Sequence, residues 1–245
     1  MAGWPPEAIL KCVPGQIVAL GGGGFSATGA PTPIDELIVS LAGRPRPRVC
    51  FVGTASGDAE SYLARFYRAY AQLDCRPGDL PLFQTPITHD LLRLVMEQQA
   101  FYVGGGSTVN LLGVWRLHGL DRLLREAWEA GAVLAGISAG AICWFEAYLT
   151  DSVGPELAPR QDGLGFLSGS ACPHFSDDPE RRPTYQRLIA AGFPGGLAID
   201  DGAALHFRGR ELANVVSERA GAQAYRIFVR DGHLVEEPLQ ARLSG

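Results

Sequence analysis

The chain has 245 residues, 47% of them hydrophobic and 19% charged, a composition that folds and leaves no segment polar enough to stay disordered. A net charge of −5, with no run of lysines or arginines, provides no footprint for a phosphate backbone or an anionic lipid surface, so nucleic acid is not expected as a partner. The length suits one α/β domain over residues 1–245, and no linker-like tract divides it.

In chain order, the segment from Met1 to Lys11 lacks a basic start followed by a long apolar stretch and is not read as a secretory leader. Gln16 to Leu20 and Arg48 to Val52 are short apolar or β-branched runs, each ending at glycine, as buried parallel strands do. Helical patterns follow at Ile34 to Leu41 and Ser61 to Gln72. Phe101 to Val103 reads as a third strand, then a glycine triplet and a helix from about Thr108. Leu120 to Ala130 is an amphipathic helix, and the uncharged stretch Ala130 to Phe145 reads as a buried strand, Ala132 to Ala135, with an apolar helix following Ser138. That stretch is too short to span a bilayer, which takes roughly 20 residues, so no membrane partner is expected. Ala224 to Arg230 and His233 to Val235, joined by Asp231-Gly232, form a hairpin closing a sheet edge.

Alternation of strand and helix predicts an α/β fold: a mostly parallel sheet covered on both faces, a three-layer sandwich. In such a sheet ligands collect at the carboxyl ends of the strands. The junctions to search are therefore Gly21 to Gly24, Gly53 to Ser56, Gly104 to Ser107 and Gly136 to Gly140. The five cysteines (Cys12, Cys50, Cys75, Cys143 and Cys172) are widely spaced with no C-x-x-C, which favours neither zinc nor a disulfide framework and points to a reducing, cytoplasmic setting.

Gly136-Ile137-Ser138-Ala139-Gly140 matches G-x-S-x-G, the nucleophile elbow, in which serine occupies a strained strand-to-helix turn. The competing reading makes Ser138 a helix N-cap. A nucleophilic serine needs a base, an acid to orient it, and donors for the developing oxyanion. The amide of Ala139 and those of the Gly104-Gly105-Gly106 loop are candidate donors, the triplet being otherwise a tight turn or anion nest. Among His89, His118, His174, His206 and His233, His174 lies in a loop after Pro173, whereas His118 and His233 read as solvent-facing. Asp200 and Asp201, in Ala198-Ile-Asp-Asp-Gly202, end another apolar strand and can each be the acid or a turn residue.

Taken together, Tyr102-Val-Gly-Gly-Gly-Ser-Thr108, Gly136-Ile-Ser-Ala-Gly-Ala141, Pro173-His-Phe175 and Ile199-Asp-Asp-Gly202 resemble the peptidase E family of serine peptidases, relatives of cyanophycinase. The resemblance is clear from about Phe101 to Phe207. It implies a class I glutamine amidotransferase-like (flavodoxin-like) fold, and a serine exopeptidase acting on dipeptides or short peptides without metal or cofactor. It assigns Ser138 as nucleophile, His174 as base, Asp201 as acid, and Gly105, Gly106 and Ala139 as the oxyanion region. The best-known members carry glutamate where Asp201 stands, and Asp200 remains the alternative. Arginines after the His-Phe pair read an N-terminal aspartate in the family's aspartyl dipeptidases; Arg181 and Arg182 correspond, while Asp177, Asp178 and Glu180 offer a hold on a substrate amino group. Cys172-Pro173 replaces the Asp-Gln of cyanophycinase.

Two other readings stay open. An α/β-hydrolase esterase shares G-x-S-x-G but takes its histidine last, as His206 or His233. A non-catalytic small-molecule-binding domain would use Gly21 to Gly24, a poor match to the dinucleotide fingerprint. Periodicity does not separate a dimer surface from core, so a homodimer is neither required nor excluded.

Overall fold

The computed structural model describes residues 14–84 and 90–243. The leader reading at Met1 to Lys11, Cys12 and His89 fall outside them. In chain order the strands are β1 (Gln16–Leu20), β2 (Arg48–Val52), β3 (Arg76–Asp79), β4 (Ala100–Val103), β5 (Val133–Ile137), β6 (Phe145–Thr150), β7 (Ala158–Arg160), β8 (Leu167–Cys172), β9 (Gly196–Ile199), β10 (Ala203–Arg208), β11 (Glu211–Ser217), β12 (Ala224–Arg230), β13 (His233–Leu239) and β14 (Arg242–Leu243). The α-helices are α1 (Gly24–Thr28), α2 (Pro33–Leu41), α3 (Glu60–Tyr70), α4 (Leu91–Met96), α5 (Thr108–His118), α6 (Leu120–Glu129), α7 (Ala139–Ile142) and α8 (Arg181–Ala190).

The first sheet runs β14-β11-β10-β1-β5-β4-β2-β3, with β1, β5, β4, β2 and β3 parallel and β10 antiparallel to both its neighbours. Alternate residues of each central strand face opposite layers, as period-two geometry requires. Val18, Leu20, Phe51, Tyr102 and Ala135 pack with α1, α2 and α3, whereas Ile17, Ala19, Val52, Phe101 and Leu134 pack with α4, α5, α6 and α7. This is the expected three-layer arrangement. The helices dock because their apolar residues recur at helical spacing: Tyr62, Phe66, Ala69 and Tyr70 in α3, and Leu120, Leu124, Ala127 and Trp128 in α6. Among the described residues no helix is long and apolar enough to cross a membrane.

A second sheet, β13-β12-β9-β8-β6-β7, differs from the single sheet expected from the sequence. The helix after Ser138 stops after one turn, and at Phe145 the chain becomes β6, burying Phe145 and Tyr148 in the cluster that also holds α5, α6 and α7. β8 and β9 are parallel within it and end at Cys172 and Ile199. The predicted hairpin is β12 and β13, with Asp231 and Gly232 at φ 52° and 77°, the left-handed pair a two-residue turn needs. Edge strands β3, β7 and β13 carry Pro77, Pro159 and Pro238. A proline donates no ladder hydrogen bond, so it is confined to such edges and blunts them against further pairing.

Beneath the Gly21 to Gly24 turn, Phe25, Phe51, Tyr62, Phe66, Tyr70 and Tyr102 form one aromatic cluster with ring centroids 4.4 to 6.4 Å apart. Asp35 is fully buried among them and accepts from the amides of Phe25 and Thr32, the Thr32 hydroxyl and the Tyr70 hydroxyl. Burial outweighs these donors and raises its carboxyl from 3.8 to about 6. The folded state therefore holds that proton more tightly than the unfolded chain, and the group's contribution to stability falls as pH rises from about 4 to about 6. Relative to Asp35→Asn, the wild-type protein should lose about 3 kcal/mol of stability between about pH 4 and pH 7. Urea denaturation of both proteins at the two pH values checks this; a constant difference would refute it.

Candidate active site

The parallel strands β1, β2, β4 and β5 end at one rim, and the glycine-rich turns leave from it. Ser138 follows β5 directly, with φ 53° and ψ −113°, a conformation that costs about 1–3 kcal/mol for a residue other than glycine. Its amide donates to the Leu20 carbonyl at the end of β1, at 3.0 Å, which pins the turn. The flanking glycines have a steric cause. A Cβ on Gly136 would lie 2.1 Å from the Gly140 carbonyl oxygen, and one on Gly140 would lie 2.3 Å from the Val103 carbonyl oxygen. The elbow is thus folded so tightly against itself and β4 that no side chain fits at either position.

Ser138 makes no capping bond to α7, contrary to the N-cap reading; its hydroxyl instead donates to His174 Nε2 at 2.9 Å. His174 Nδ1 lies 2.5 Å from Asp201 Oδ1. An Nδ1–H donated to this carboxylate leaves Nε2 as the acceptor for the serine. His174 sits just beyond β8 with φ 52°, and Asp201 just beyond β9, so the second sheet delivers both to the first sheet's rim. Side-chain exposures of 29% and 37% leave the imidazole and the carboxylate within reach of a ligand while keeping them partly out of water.

The structure separates Asp200 from Asp201. Asp200 is buried and turned away from His174, accepting from the Ser176 amide (3.0 Å) and the Gln223 amide (3.1 Å). Asp201 forms an isolated parallel bridge with Gly22, whose Cβ would lie 2.0 Å from Asp201 Oδ1. The Gly21 to Gly24 stretch therefore packs against the acid loop, a role its sequence did not disclose. Near the elbow, Gly106 has φ 138° and lies so close to the Ala55 carbonyl that a Cβ would come within 2.2 Å. Gly105 stacks beside Ser138, but its N–H donates to the Tyr62 hydroxyl at 3.3 Å, and that hydroxyl pairs with Ser26 at 2.6 Å. Ala139 is the first residue of α7, so its N–H has no acceptor within the helix.

Four charged candidates named from the sequence are paired within the chain. Arg181 is not a surface cation: its side chain is 4% exposed and is paired with Asp151 and Asp178, each at 3.1 Å. Arg182 lies over the Phe175 and Tyr225 rings with its guanidinium on Glu236 at 2.5 Å, so it is neutralised by the chain itself. Asp177 and Asp178 are likewise held by Arg219 and Arg181. His206 is buried in β10 and bonded to Gln16 at 2.9 Å, and burial lowers its basicity; His233 is exposed at the hairpin. Neither can serve the late-histidine order of an esterase. Among the described residues no three His, Cys, Asp or Glu side chains gather as a metal-binding group.

A hydroxyl, an imidazole and a carboxylate in line beside strand-end amides form the arrangement that nucleophilic acyl transfer uses. The model of peptidase family S51 matches residues 17–215. An uncharacterized peptidase of Bacillus subtilis (strain 168), YgaJ, is 50% identical over 231 residues, 94% of this chain and 99% of its own. An uncharacterized peptidase of Listeria innocua, Lin0382, is 28% identical over 149 residues, 58% of this chain and 70% of its own. In fold, the chain is similar to a crystallised peptidase from an acI-B1 Actinobacterium (TM-score 0.71, 19% identity, covering 93% of this chain and 94% of the other). It is also similar to a candidate peptidase E protein from Listeria monocytogenes EGD-e (TM-score 0.53, 16% identity, 92% and 99%). The chain belongs to peptidase family S51, the peptidase E family of serine peptidases.

Because the acid loop leaves no room at Gly22, Gly22→Ala should push the Asp201 carboxylate beyond hydrogen-bond range of His174, past about 3.2 Å. It should also cost about 1–3 kcal/mol of stability. A crystal structure and a denaturation curve of the variant check both; an unmoved carboxylate would contradict the packing argument.

Proposed function

We propose that the protein is a serine exopeptidase that hydrolyses dipeptides or short peptides through Ser138, His174 and Asp201. The observation that carries this reading is the continuous line from the Ser138 hydroxyl through both ring nitrogens of His174 to Asp201. His174 Nε2 takes the serine proton as Oγ attacks the scissile carbonyl, then returns it to the leaving amine. Asp201 keeps the other proton on Nδ1 and stabilises the imidazolium that forms. The amides of Gly106 and Ala139 receive the tetrahedral oxyanion. Gly105, whose own N–H is held by Tyr62, shapes the wall beside the serine. Water then attacks the acyl-enzyme with the same base, releasing the second product. The step balances without metal or organic cofactor.

A preference for N-terminal aspartate read by Arg181 or Arg182 is not part of this proposal, because both guanidinium groups are occupied by carboxylates of the chain. The described cysteines Cys50, Cys75, Cys143 and Cys172 are free and buried, which supports a reducing, cytoplasmic setting.

Ser138→Ala and His174→Ala should each lower kcat on a panel of dipeptides and aminoacyl amides by a factor on the order of 10⁴–10⁶, and Asp201→Asn by about 10⁴, with circular dichroism unchanged. Hydrolysis of the panel by Ser138→Ala at the wild-type rate would overturn the assignment.

A further inference from the structure

The two loops that bring base and acid together are cross-bonded in a reciprocal way. Asp200, in the acid loop, accepts from the Ser176 amide of the histidine loop. Asp177, in the histidine loop, accepts from the Asp201 amide through Oδ2 at 2.7 Å. Its other oxygen, Oδ1, pairs with Arg219 Nη2 at 2.7 Å. Arg219 then closes the circuit, because Nη2 and Nε both donate to the Asp201 carbonyl oxygen, at 2.8 and 3.1 Å. The peptide groups on both sides of Asp201 Cα are thus gripped by one ion pair. A second backbone anchor lies next to it, where the Gly202 amide donates to the Gly22 carbonyl at 2.9 Å.

We propose that Asp177 and Arg219 are positioning residues for Asp201: as an ion pair they clamp its N–H and C=O, and so aim the short aspartate carboxylate at His174 Nδ1. The inference rests on the triad reading above and adds two residues to it. Four physical points favour it over a plain surface contact. Side-chain exposures of 54% for Arg219 and 29% for Asp177 describe a partly solvated pair of the kind that contributes little to stability. The shared acceptor is the backbone of the residue whose geometry the base depends on, and a misplacement of about 1 Å there can cost about 100-fold in rate. Asp177 also places a second carboxylate beside Asp201, and without Arg219 the two negative charges would repel and push the loop apart. The planar fork of arginine reaches the carbonyl with two nitrogens and the carboxylate with one of them, a geometry that lysine does not reproduce.

Arg219 also borders a cavity of about 410 Å³ lined by Gly23, Thr28, Pro33 and Glu218, so a role in reading a substrate carboxylate is the competing assignment. The test uses the full chain with Asp177→Ala, Asp177→Asn, Arg219→Gln and the double variant Asp177→Asn/Arg219→Gln. Three readouts are taken: kcat and KM on the best dipeptide, the rate at which a fluorophosphonate labels Ser138, and the downfield proton resonance of His174 Nδ1–H. Asp177→Ala and Arg219→Gln should each lower kcat and labelling by about 10- to 100-fold. KM should stay within about twofold, and the Nδ1 proton resonance should weaken or broaden. Asp177→Asn keeps an acceptor for the Asp201 amide and should fall less than Asp177→Ala. The double variant should recover activity relative to Arg219→Gln, because the uncompensated carboxylate is gone.

A rise in KM with kcat, labelling and the proton resonance unchanged would overturn the clamp in favour of substrate binding. Variants that keep both the wild-type labelling rate and the resonance would overturn it outright. Labelling and the resonance need no peptide. Wild-type protein that labels at Ser138 but cleaves no peptide would defeat the peptidase substrate reading and leave the clamp standing. Should Asp177→Ala fail to fold, the Asp177→Asn and Arg219→Gln pair decides the question alone.

Discussion

One constraint organises the site: the backbone at Ser138 turns through a left-handed conformation between a buried strand and a buried single-turn helix, with no space for side chains on either flank. Gly136 meets the Gly140 carbonyl, Gly140 meets the Val103 carbonyl, and the Ser138 amide is tied to Leu20. Three central strands therefore hold one hydroxyl at the rim. Such strain persists only where the surroundings over-determine it, and here those surroundings are β1, β4 and β5.

The partners of that hydroxyl come from the second sheet. After α7 the chain builds β6 against the α5–α7 layer, and the parallel pair β8 and β9 then ends at the same rim, releasing His174 and Asp201 there. Two sheets in one core convert distant sequence positions into contacts of 2.9 and 2.5 Å. Close backbone packing surrounds the Asp201 carboxylate. Gly22 contacts the carboxylate directly, and Asp177 and Arg219 grip the peptide groups around it. Polar atoms near the rim are largely used within the chain. Arg181, Arg182 and Asp178 are each paired with an opposite charge of the chain, Arg181 in a buried position.

Much of this was legible before any coordinates. Apolar runs ending at glycine identified β1, β2, β4 and β5, helical spacing identified α3 and α6, and Asp231-Gly232 identified the hairpin, because each signal is local and physically obligatory. G-x-S-x-G placed Ser138, and resemblance singled out His174 and Asp201, which the structure brings together. What failed depended on neighbours far along the chain. The helix expected after Ser138 is present as α7 but lasts one turn, and the end of the apolar run is strand β6, since such a run does not by itself distinguish helix from buried strand. Arg181 and Arg182 looked available because a sequence does not show that Asp151, Asp178 and Glu236 reach them first.

The sequence by itself determined the alternation of strand and helix, the position of the elbow serine, and the short list of histidines and acids able to serve it. Tertiary structure decided which of two adjacent aspartates faces the imidazole, why position 22 admits only glycine, and that an ion pair holds the peptide groups around Asp201. The reason is geometric: side-chain periodicity and turn chemistry are set within a few residues, whereas the direction of a carboxylate at a strand end is set by amides and guanidinium groups from loops that meet it only after both sheets have packed.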